Sequence, residues 1–357
     1  MNNDSPTTSQ PAPYTIVFAS NETGVLPLSL AIWSLLKKAA DSTTYDVYVL
    51  SDEISDKSQN RLQGIVDNIS SRHNLSFVDV TPVLSEKIKE GYVSYLPRST
   101  WSRVFIPDLI PHVSRALYVD IDILVCDDCT PLFTMDMQGA AVGVVYEAVS
   151  SESTYFNRDF DIPLSYPGYF NAGVLLMDLD VFRRDNLSEH IMMCAAKYNG
   201  KLKAQDQDAL NAALYDRAIR LHPRWNWHDW YTRLSLKANP KKSLWRAHEP
   251  LEVVEGSLYP GIIHFIGPRK PWRYNNRLMQ DRYLEAIKES GLPGFLPLPG
   301  WSFKTWLNRI LYAPMYALTW RKINKLAKKW NVKYEPKAAS WGLASDCAVK
   351  GWPPAKK

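Results

Sequence analysis

The sequence predicts an α/β fold with a mostly parallel central sheet, and three observations near its start lead to that prediction. Tyr14 to Ser20 is an apolar run rich in β-forming residues, Leu26 to Ala40 shows a helical recurrence of apolar residues, and Tyr45 to Leu50 is a second β-rich run. This alternation is typical of a βαβ unit, whose two strands are parallel. In such sheets the ligands gather at the carboxyl ends of the strands.

The rest of the chain continues the alternation. The further predicted elements are, in order, a helix (Lys57 to Ile69), a strand (Leu75 to Val80), a helix start (Thr100 to Arg103), a central strand (Leu117 to Asp128), a strand from Ala140, a strand within Gly168 to Asp180, a helix within Lys203 to Leu214 and a strand from Ile262. The chain has 357 residues, 46% of them hydrophobic, so it can form one large domain or two small ones around a sizeable core.

The stretch Leu117 to Asp128 (LYVDIDILVCDD) is the one around which we expect the chain to be organised. Asp120 and Asp122 are two residues apart, so on one strand they point to the same face while Ile121 points away. Two acidic groups at the end of an apolar strand are costly unless they are paired or bind a cation. A metal site is therefore one interpretation, and a strand that ends in a solvated turn is the other.

Other polar side chains lie next to apolar strands or at a helix start. Asn171 is in an Asn-Ala-Gly turn before a strand, Asp206 and Asp208 begin a helical stretch, and His264 and Lys270 flank an apolar strand. Each has a purely structural interpretation, because Asn favours turns, acidic residues favour helix N-termini, and a histidine among apolar residues can belong to the core.

Several classes of protein are disfavoured by what the sequence lacks. No Gly-x-Gly-x-x-Gly or P-loop pattern follows the first strand, which argues against a dinucleotide site or a Walker ATPase. Cys126 and Cys129 have no second cysteine pair nearby, and four cysteines in all suit a reducing cytosol better than a disulfide framework. The sequence contains no uninterrupted apolar run of about 18 residues, so no transmembrane helix is predicted. Residues 1–13 are polar, lack the features of a secretory signal, and are predicted to be a disordered leader.

Six stretches, taken together and in order, resemble the retaining glycosyltransferase family 8. They are the FAS turn after the first strand, Arg103, LYVDIDILV, YFNAGVLLMDL, QDQDALN and the pattern H-x-x-G-x-x-K-P-W at His264 to Trp272. The resemblance covers residues 14–272. In the order and spacing of these stretches, the chain is most similar to the bacterial lipopolysaccharide galactosyl- and glucosyltransferases. It implies a GT-A-type nucleotide-sugar-binding fold, over residues 14–295, that holds a UDP-hexose with a divalent cation.

The resemblance also implies roles for particular residues. Asp120, Asp122 and His264 are the implied metal ligands, and this mixed oxygen and nitrogen set suits Mn²⁺, with Mg²⁺ as a substitute. Lys270 and the backbone around Gly267 would contact the diphosphate. The implied donor-binding residues are Ala19, Asn21, Arg103, Asp120, Ile121, Asn171, Ala172, Asp206, Gly267 and Lys270.

Asp206 and Gln207 are the residues implied at the reactive face of the donor, and both are candidate catalytic residues. An amide is a poor nucleophile, which favours a front-face internal return over a double displacement through Gln207. In that mechanism the leaving phosphate itself deprotonates the acceptor hydroxyl. Gln205 and Trp227 are the candidate acceptor contacts, although Gln205 can equally cap the following helix and the aromatic cluster around Trp227 can equally be core.

One position departs from the family pattern. An acidic residue commonly follows the first strand and contacts uracil, whereas this chain has Asn21 followed by Glu22. An amide can donate and accept at the edge of uracil, so UDP remains the expected nucleotide, with base selectivity in question.

The expected function is therefore transfer of galactose or glucose from a UDP-sugar to a glycan or glycolipid such as lipopolysaccharide. A catalytically silent sugar-binding module is one alternative, although all the metal positions are filled. A nucleotidyltransferase would need a Gly-rich loop after the first strand, which is absent. A self-glucosylating primer of the glycogenin type would need an acceptor tyrosine on its surface.

Residues 296–357 are predicted to be a tail that binds an anionic membrane surface. From Trp301 to Lys357 there are twelve Lys and Arg against two Asp and Glu, a net charge of +10 in a chain whose total is +5. Apolar residues from Tyr316 to Trp330 recur at helical spacing, with basic residues mostly on the opposite side, as in a helix that lies on a membrane. The alternatives are a helix that docks on the catalytic domain and a nucleic-acid-binding arm. Because the positive charge is confined to the tail, we expect no nucleic-acid partner. The cysteine usage and the membrane-binding tail together predict a cytoplasmic location on the inner face of the membrane.

Overall fold

The computed structural model describes residues 12–89, 97–147, 159–160, 168–229, 232, 248–273, 278–292 and 303–332, with the backbone alone for 303–313. Most of the expected leader, and the tail beyond residue 332, lie outside these ranges. The strands are β1 (Tyr14–Asn21), β2 (Tyr45–Asp52), β3 (Asn74–Asp79), β4 (Arg115–Val119), β5 (Ile123–Val125), β6 (Val142–Tyr146), β7 (Phe170–Asp178), β8 (Ala218–Arg220) and β9 (Ile262–His264).

The helices alternate with these strands. They are α1 (Val25–Lys38), α2 (Asp56–Ile69), α3 (Thr81–Lys87), α4 (Ile106–Leu109), α5 (Thr130–Phe133), α6 (Leu179–Arg184), α7 (Leu187–Lys197), α8 (Asp206–Leu214), α9 (Pro250–Leu258), α10 (Gln280–Ser290) and α11 (Phe303–Trp330), with 3-10 turns at Glu22–Gly24, Arg98–Phe105 and Pro223–Asn226. Within the described residues, none of these helices has both the length and the apolar composition needed to cross a membrane.

Seven strands form the main sheet in the order β3-β2-β1-β4-β7-β6-β8, and β5 and β9 form a second, two-stranded sheet. Strands β3, β2, β1 and β4 run parallel to one another, and β6 and β8 are a parallel pair, whereas β7 runs antiparallel to both β4 and β6. The prediction of a mostly parallel sheet is confirmed. The single reversed strand brings the first residues of β7 to the edge where β1 and β4 end.

Both faces of the sheet are covered. Along β1, Ile16 and Phe18 belong to the apolar cluster under α1, whereas Val17 belongs to the cluster on the opposite face. Successive side chains of a strand point to opposite faces, so a strand buried on both faces must be apolar at every position. This explains why the β1 sequence is a continuous apolar run.

Two elements differ from the prediction. Leu117 to Asp128 is not one strand, because β4 ends at Val119 and β5 begins at Ile123 in the other sheet. Asp120 and Asp122 lie on the link between the sheets, where the side chain of Asp120 is 24% exposed and that of Asp122 is 12% exposed. The helix start predicted at Thr100 is a 3-10 segment, and Pro107 lacks the N–H that an α-helix would require at the carbonyl of Arg103.

Helix α11 also differs from the prediction. It is a single helix that continues through Pro314, and its apolar stripe packs against the rest of the protein. Ile323 is fully buried with Val253 and Val254 of α9, and the Tyr316 hydroxyl donates to Asp229 Oδ2 at 3.4 Å. Trp320, Ala327 and Trp330 pack at the same cluster. The prediction that this stripe faces a membrane is therefore wrong, because the protein itself covers it and the helix docks on the catalytic domain.

The docking of α11 predicts a matched pair of stability effects. Ile323→Ala should lower the free energy of unfolding by about 2 kcal/mol, because it removes a fully buried side chain. Leu318→Ala on the same helix is the control, since Leu318 is 62% exposed, and should change it by no more than about 0.5 kcal/mol. Urea denaturation measures both values, and equal effects of the two substitutions would contradict the docking.

Candidate active site

Most of the candidate residues meet at one edge of the main sheet. β1 ends at Asn21, and β4 ends one residue before Asp120. Because β7 is antiparallel, Val174 pairs with Val119, and the backbone N–H of Asp120 donates to the carbonyl of Gly173 at 2.8 Å. The Asn-Ala-Gly turn that begins β7 therefore lies beside the two aspartates.

Asp120, Asp122 and His264 form a cluster in which one ligand atom from each lies within 4.8 Å of the others. His264 Nε2 is 3.1 Å from Asp122 Oδ1 and 3.7 Å from Asp120 Oδ2. His264 comes from far along the chain and reaches the aspartates because it pairs with Ile123 across β5 and β9. Two carboxylates and one imidazole match the donors that divalent metal ions of intermediate hardness prefer.

Gly173 has no side chain, and this leaves space for the side chains of His264 and Asp120. A Cβ atom at this position would overlap the imidazole of His264 and would lie 2.9 Å from Asp120 Oδ2. The side chains of His264 and Asp120 therefore lie directly against the backbone of β7, and only glycine allows that approach. The donor set and the close fit of this surface agree with a bound divalent cation.

Lys270 supplies positive charge at the same place. Its Nζ forms an ion pair with Asp122 and donates to the carbonyl of Phe265 at 3.1 Å. Burial raises the pKa of Asp122, but the charges of Lys270 and His264 outweigh burial and hold that pKa well below its usual range. Gly267, with φ of 78°, shapes the exposed turn between β9 and this lysine.

Arg103 connects the cluster of Asp120, Asp122 and His264 to Asp206, one of the two predicted catalytic residues. Its guanidinium is buried, donates through Nη1 to the carbonyl of Ala172, and places Nη2 at 3.1 Å from Asp120 Oδ1. Nε is 3.0 Å from Asp206 Oδ2. Burial lowers the pKa of Arg103, but the two carboxylates reverse that effect and raise it.

Asp206 begins α8 and is only 2% exposed. Burial raises its pKa to about 6, although Arg103 opposes the change. Among the described residues Oδ2 accepts no hydrogen bond, because the nearby Nε of Arg103 donates to the carbonyl of Thr100 instead. A buried acceptor of this kind can bind a hydroxyl donor from a ligand.

Gln207 is held in one orientation by its neighbours. Its Oε1 accepts from the backbone N–H of Ala172 at 2.9 Å and from Asn171 Nδ2 at 3.2 Å. Its Nε2 donates to the hydroxyl of Tyr169 at 2.9 Å, and that hydroxyl donates to Asp208 Oδ1. The amide is therefore fixed on both sides beside the aspartate at position 206.

Two further residues of this site, Glu147 and Asn226, were not predicted from the sequence. Glu147 follows β6, lies 3.3 Å from Asn171 Nδ2, and has its pKa raised to about 6 by burial. Asn226 is fully buried between His264 and Asn171. A carboxylate directly after an apolar strand was a usable signal for Glu147. Asn226 had none, because it lies between tryptophans and looked like part of an aromatic cluster.

The predicted uracil contacts lie at the end of β1. Asn21 is half-buried, and its Oδ1 accepts from Thr23 Oγ1 at 2.7 Å. Glu22 instead binds the start of α2, through the backbone N–H of Ser55 at 2.8 Å and the hydroxyl of Ser58 at 2.6 Å. Glu22 is thus engaged in capping a helix. Ala19 is buried in β1 and Ile121 is half-buried, both beside this end of the sheet.

The two predicted acceptor contacts have different outcomes. Trp227 is wrong as an acceptor contact, because its ring is 1% exposed and its Nε1 donates to Ser257 Oγ at 3.0 Å inside the core. Gln205 is also buried, takes φ of 50°, and makes no capping hydrogen bond with its side chain. Its contact with an acceptor stays a prediction.

Comparison with known proteins agrees with this geometry. A family model described as "Glycosyl transferase family 8" matches residues 15–276. General stress protein A of Bacillus subtilis is 30% identical over 249 residues, which cover 68% of this chain and 82% of that protein. A lipopolysaccharide 1,2-glucosyltransferase of Escherichia coli is 27% identical over 176 residues, which cover 49% of each protein.

Solved structures show the same fold. The galactosyltransferase LgtC, in complex with donor and acceptor sugar analogues, superposes with a TM-score of 0.64 at 23% identity, covering 77% of this chain and 95% of that one. The glycosyltransferase GlyE of Streptococcus pneumoniae gives a TM-score of 0.53 at 20% identity, covering 92% and 66%. The expected GT-A-type fold is thereby confirmed. Because the family match spans most of the chain and includes every residue of the metal cluster, the chain belongs to glycosyl transferase family 8 and is a glycosyltransferase.

Proposed function

We propose that this enzyme is a metal-dependent, retaining hexosyltransferase that moves galactose or glucose from a UDP-sugar to a glycan or glycolipid acceptor. The observation that carries the proposal is the cluster of Asp120, Asp122 and His264 beside the buried Arg103 and Asp206 pair. A diphosphate bound near the first group places its sugar near the second. The names of the relatives, a lipopolysaccharide glucosyltransferase among them, support the acceptor class.

The proposed cation is Mn²⁺, with Mg²⁺ as a substitute. Mg²⁺ prefers oxygen ligands alone, whereas the imidazole of His264 suits a softer ion. When bound, the cation neutralises charge on the diphosphate. Lys270 is positioned to add its charge to the same leaving group, which lowers the barrier to breaking the bond to the sugar.

In this proposal, the donor sugar is recognised by buried polar groups that can form further hydrogen bonds. Asp206 Oδ2 can accept from a sugar hydroxyl, and Arg103 keeps this carboxylate oriented through its 3.0 Å contact. Asn171 lies next to both Gln207 and Glu147 and can exchange one of these contacts for a sugar hydroxyl. A site built to hydrogen-bond hydroxyls discriminates strongly against sugars that lack them.

The hydrogen bonds of Gln207 support a front-face mechanism. A carbonyl oxygen has two lone pairs, and Oε1 of Gln207 already accepts from Ala172 and Asn171. It is therefore a still weaker nucleophile than a free amide. In the proposed reaction the bond between the anomeric carbon and the phosphate oxygen breaks, the acceptor oxygen attacks from the same face, and the leaving phosphate takes the acceptor proton.

A self-glucosylating primer of the glycogenin type is the main alternative. It would attach sugar to a tyrosine of its own chain, so the mass of the intact protein would rise by whole hexose units after incubation with UDP-glucose. An unchanged mass, together with transfer to an added glycan, would support the hexosyltransferase.

Loss of a cluster carboxylate should abolish transfer. Asp120→Asn and Asp122→Asn each remove one negative ligand, which weakens cation binding and leaves the charge of the leaving diphosphate uncompensated. We expect turnover with Mn²⁺ to fall at least about 100-fold, with unchanged circular dichroism. Asp41→Asn is the matched control, because Asp41 is exposed on the turn before β2, and should keep wild-type turnover. Near wild-type turnover of either cluster variant at low Mn²⁺ would rule out the metal assignment.

Transfer should retain the anomeric configuration of the donor. Incubation with UDP-glucose, UDP-galactose and UDP-N-acetylglucosamine first identifies the donor through its slow hydrolysis, and proton NMR of the fresh product then gives the linkage. We expect an α-linked product from an α-linked donor, and Gln207→Ala should slow the reaction without eliminating it, because no covalent bond to the amide is needed. A β-linked product would overturn the proposed mechanism.

The exposed face of α11 is proposed to bind anionic membranes by charge alone. Arg321, Lys325, Lys328 and Lys329 are exposed, and each basic residue near an anionic surface contributes about 1 kcal/mol. Changing Lys325, Lys328 and Lys329 to Gln should therefore weaken sedimentation with phosphatidylglycerol vesicles about 100-fold at low salt. The same changes at Lys37, Lys38 and Lys57, which are also exposed, should have less effect. Binding that does not respond to salt would contradict this account.

A further inference from the structure

A chain of side-chain amides connects the metal cluster to the backbone of β7. His264 Nδ1 lies 2.9 Å from Asn226 Oδ1, and Asn226 Nδ2 donates to Asn171 Oδ1 at 2.9 Å. We propose that Asn226 is a positioning residue that fixes the tautomer of His264, so that Nε2 is left unprotonated and able to bind a metal ion. The proposal rests on the cation site described above.

The direction of each hydrogen bond follows from the backbone. The N–H of Gly173 donates to Asn171 Oδ1 at 2.9 Å, and a backbone N–H can only donate, so this atom of Asn171 must be the carbonyl oxygen. Its other neighbour, from Asn226, must then be the NH₂ group. The remaining atom of the Asn226 amide is therefore an oxygen, and it faces His264.

This oxygen can only accept a hydrogen bond, so the proton of neutral His264 must lie on Nδ1. The lone pair is then on Nε2, the nitrogen that is 3.1 Å from Asp122 and 3.7 Å from Asp120. A metal ligand must be unprotonated, and the second ring nitrogen of a ligating histidine commonly donates to such a partner.

The tautomer needs this support because the carboxylates favour the opposite one. At 3.1 Å from Asp122 Oδ1, a protonated Nε2 would form a hydrogen bond, whereas an unprotonated Nε2 faces a negative charge. Without Asn226, the imidazole would therefore move its proton to the side on which a metal ion must bind. Asn226 opposes that movement with a buried hydrogen bond.

Asn226 is placed to orient His264 but is too deeply buried to contact a substrate. Asn226 is 0% exposed and His264 is 3% exposed, so neither hydrogen-bond partner is replaced by bulk water. The segment is also fixed to β9, since the N–H of Trp227 donates to the carbonyl of Ile262 at 2.9 Å and the N–H of His264 donates to the carbonyl of Trp227 at 2.7 Å. The amide and the imidazole are thus held at a constant separation.

Metal affinity gives the first test, with electron paramagnetic resonance of free Mn²⁺ as the readout. Asn226→Ala should weaken Mn²⁺ binding about 10- to 100-fold, the usual cost of losing a partner of a ligating residue. Asn226→Asp keeps an acceptor for Nδ1 but sets a carboxylate oxygen against Asn171 Oδ1, so its affinity should lie between that of Asn226→Ala and that of the wild type. The control is Ser257→Ala, which loosens the neighbouring Trp227 without touching the amide, and should change affinity less than about threefold.

The tautomer itself gives the second test. Long-range proton–nitrogen correlation spectra of metal-free protein with labelled histidine, above pH 8, should show the His264 proton on Nδ1, with the signal assigned from its loss in His264→Asn. In Asn226→Ala the proton should move to Nε2. A wild-type proton on Nε2, or wild-type Mn²⁺ affinity in Asn226→Ala, would overturn the proposal.

The two tests separate this inference from the proposed function. The wild-type spectrum requires no metal and no substitution of Asn226, so it decides the tautomer even if Asn226→Ala does not fold. If the proton is on Nδ1 but the wild-type protein binds no Mn²⁺, the proposed cation site fails while the orientation of His264 stands.

Discussion

The compensation of buried charge is the constraint on which this site depends. Asp120, Asp122 and Asp206 place three carboxylates at one end of the sheet, where an uncompensated buried charge costs several kcal/mol. Arg103 lies beside the first and the third, and Lys270 lies beside the second. These two cations do not balance three carboxylates. The remaining negative charge favours a divalent cation and, once that has bound, an anionic diphosphate, so the same imbalance that costs stability provides affinity.

The sequence predicted the local parts of this arrangement and missed the parts set by distant pairing. Alternating strands and helices predicted the parallel sheet, and two aspartates after an apolar run predicted the cluster. The change of sheet between β4 and β5 was not predictable in this way, because it depends on the pairing of Ile123 with His264. From residue pattern alone His264 was more consistent with a core residue than with a metal ligand, and it was the family resemblance that assigned it.

Amphipathic and aromatic patterns left the occupant of an apolar face undecided. The spacing from Tyr316 to Trp330 correctly indicated a helix with one apolar side, but a membrane and a protein surface satisfy such a side equally well. The structure shows that α9 covers it. Trp227 was misjudged for the same reason, since an indole that stacks on a sugar and an indole buried in a core look alike in sequence. In both cases burial is a tertiary property.

Strand β7 connects the two halves of the chemistry. The N–H of Ala172 orients Gln207, and the N–H of Gly173 orients Asn171 and, through Asn226, His264. Because Gly173 has no side chain, it also leaves space beside the backbone for His264 and Asp120. Because backbone groups of one paired strand set these orientations, the metal end and the donor end of the site cannot change independently. Differences in sugar or acceptor preference among proteins with this fold should therefore arise in the loops around the sheet, where side chains can vary without disturbing β7.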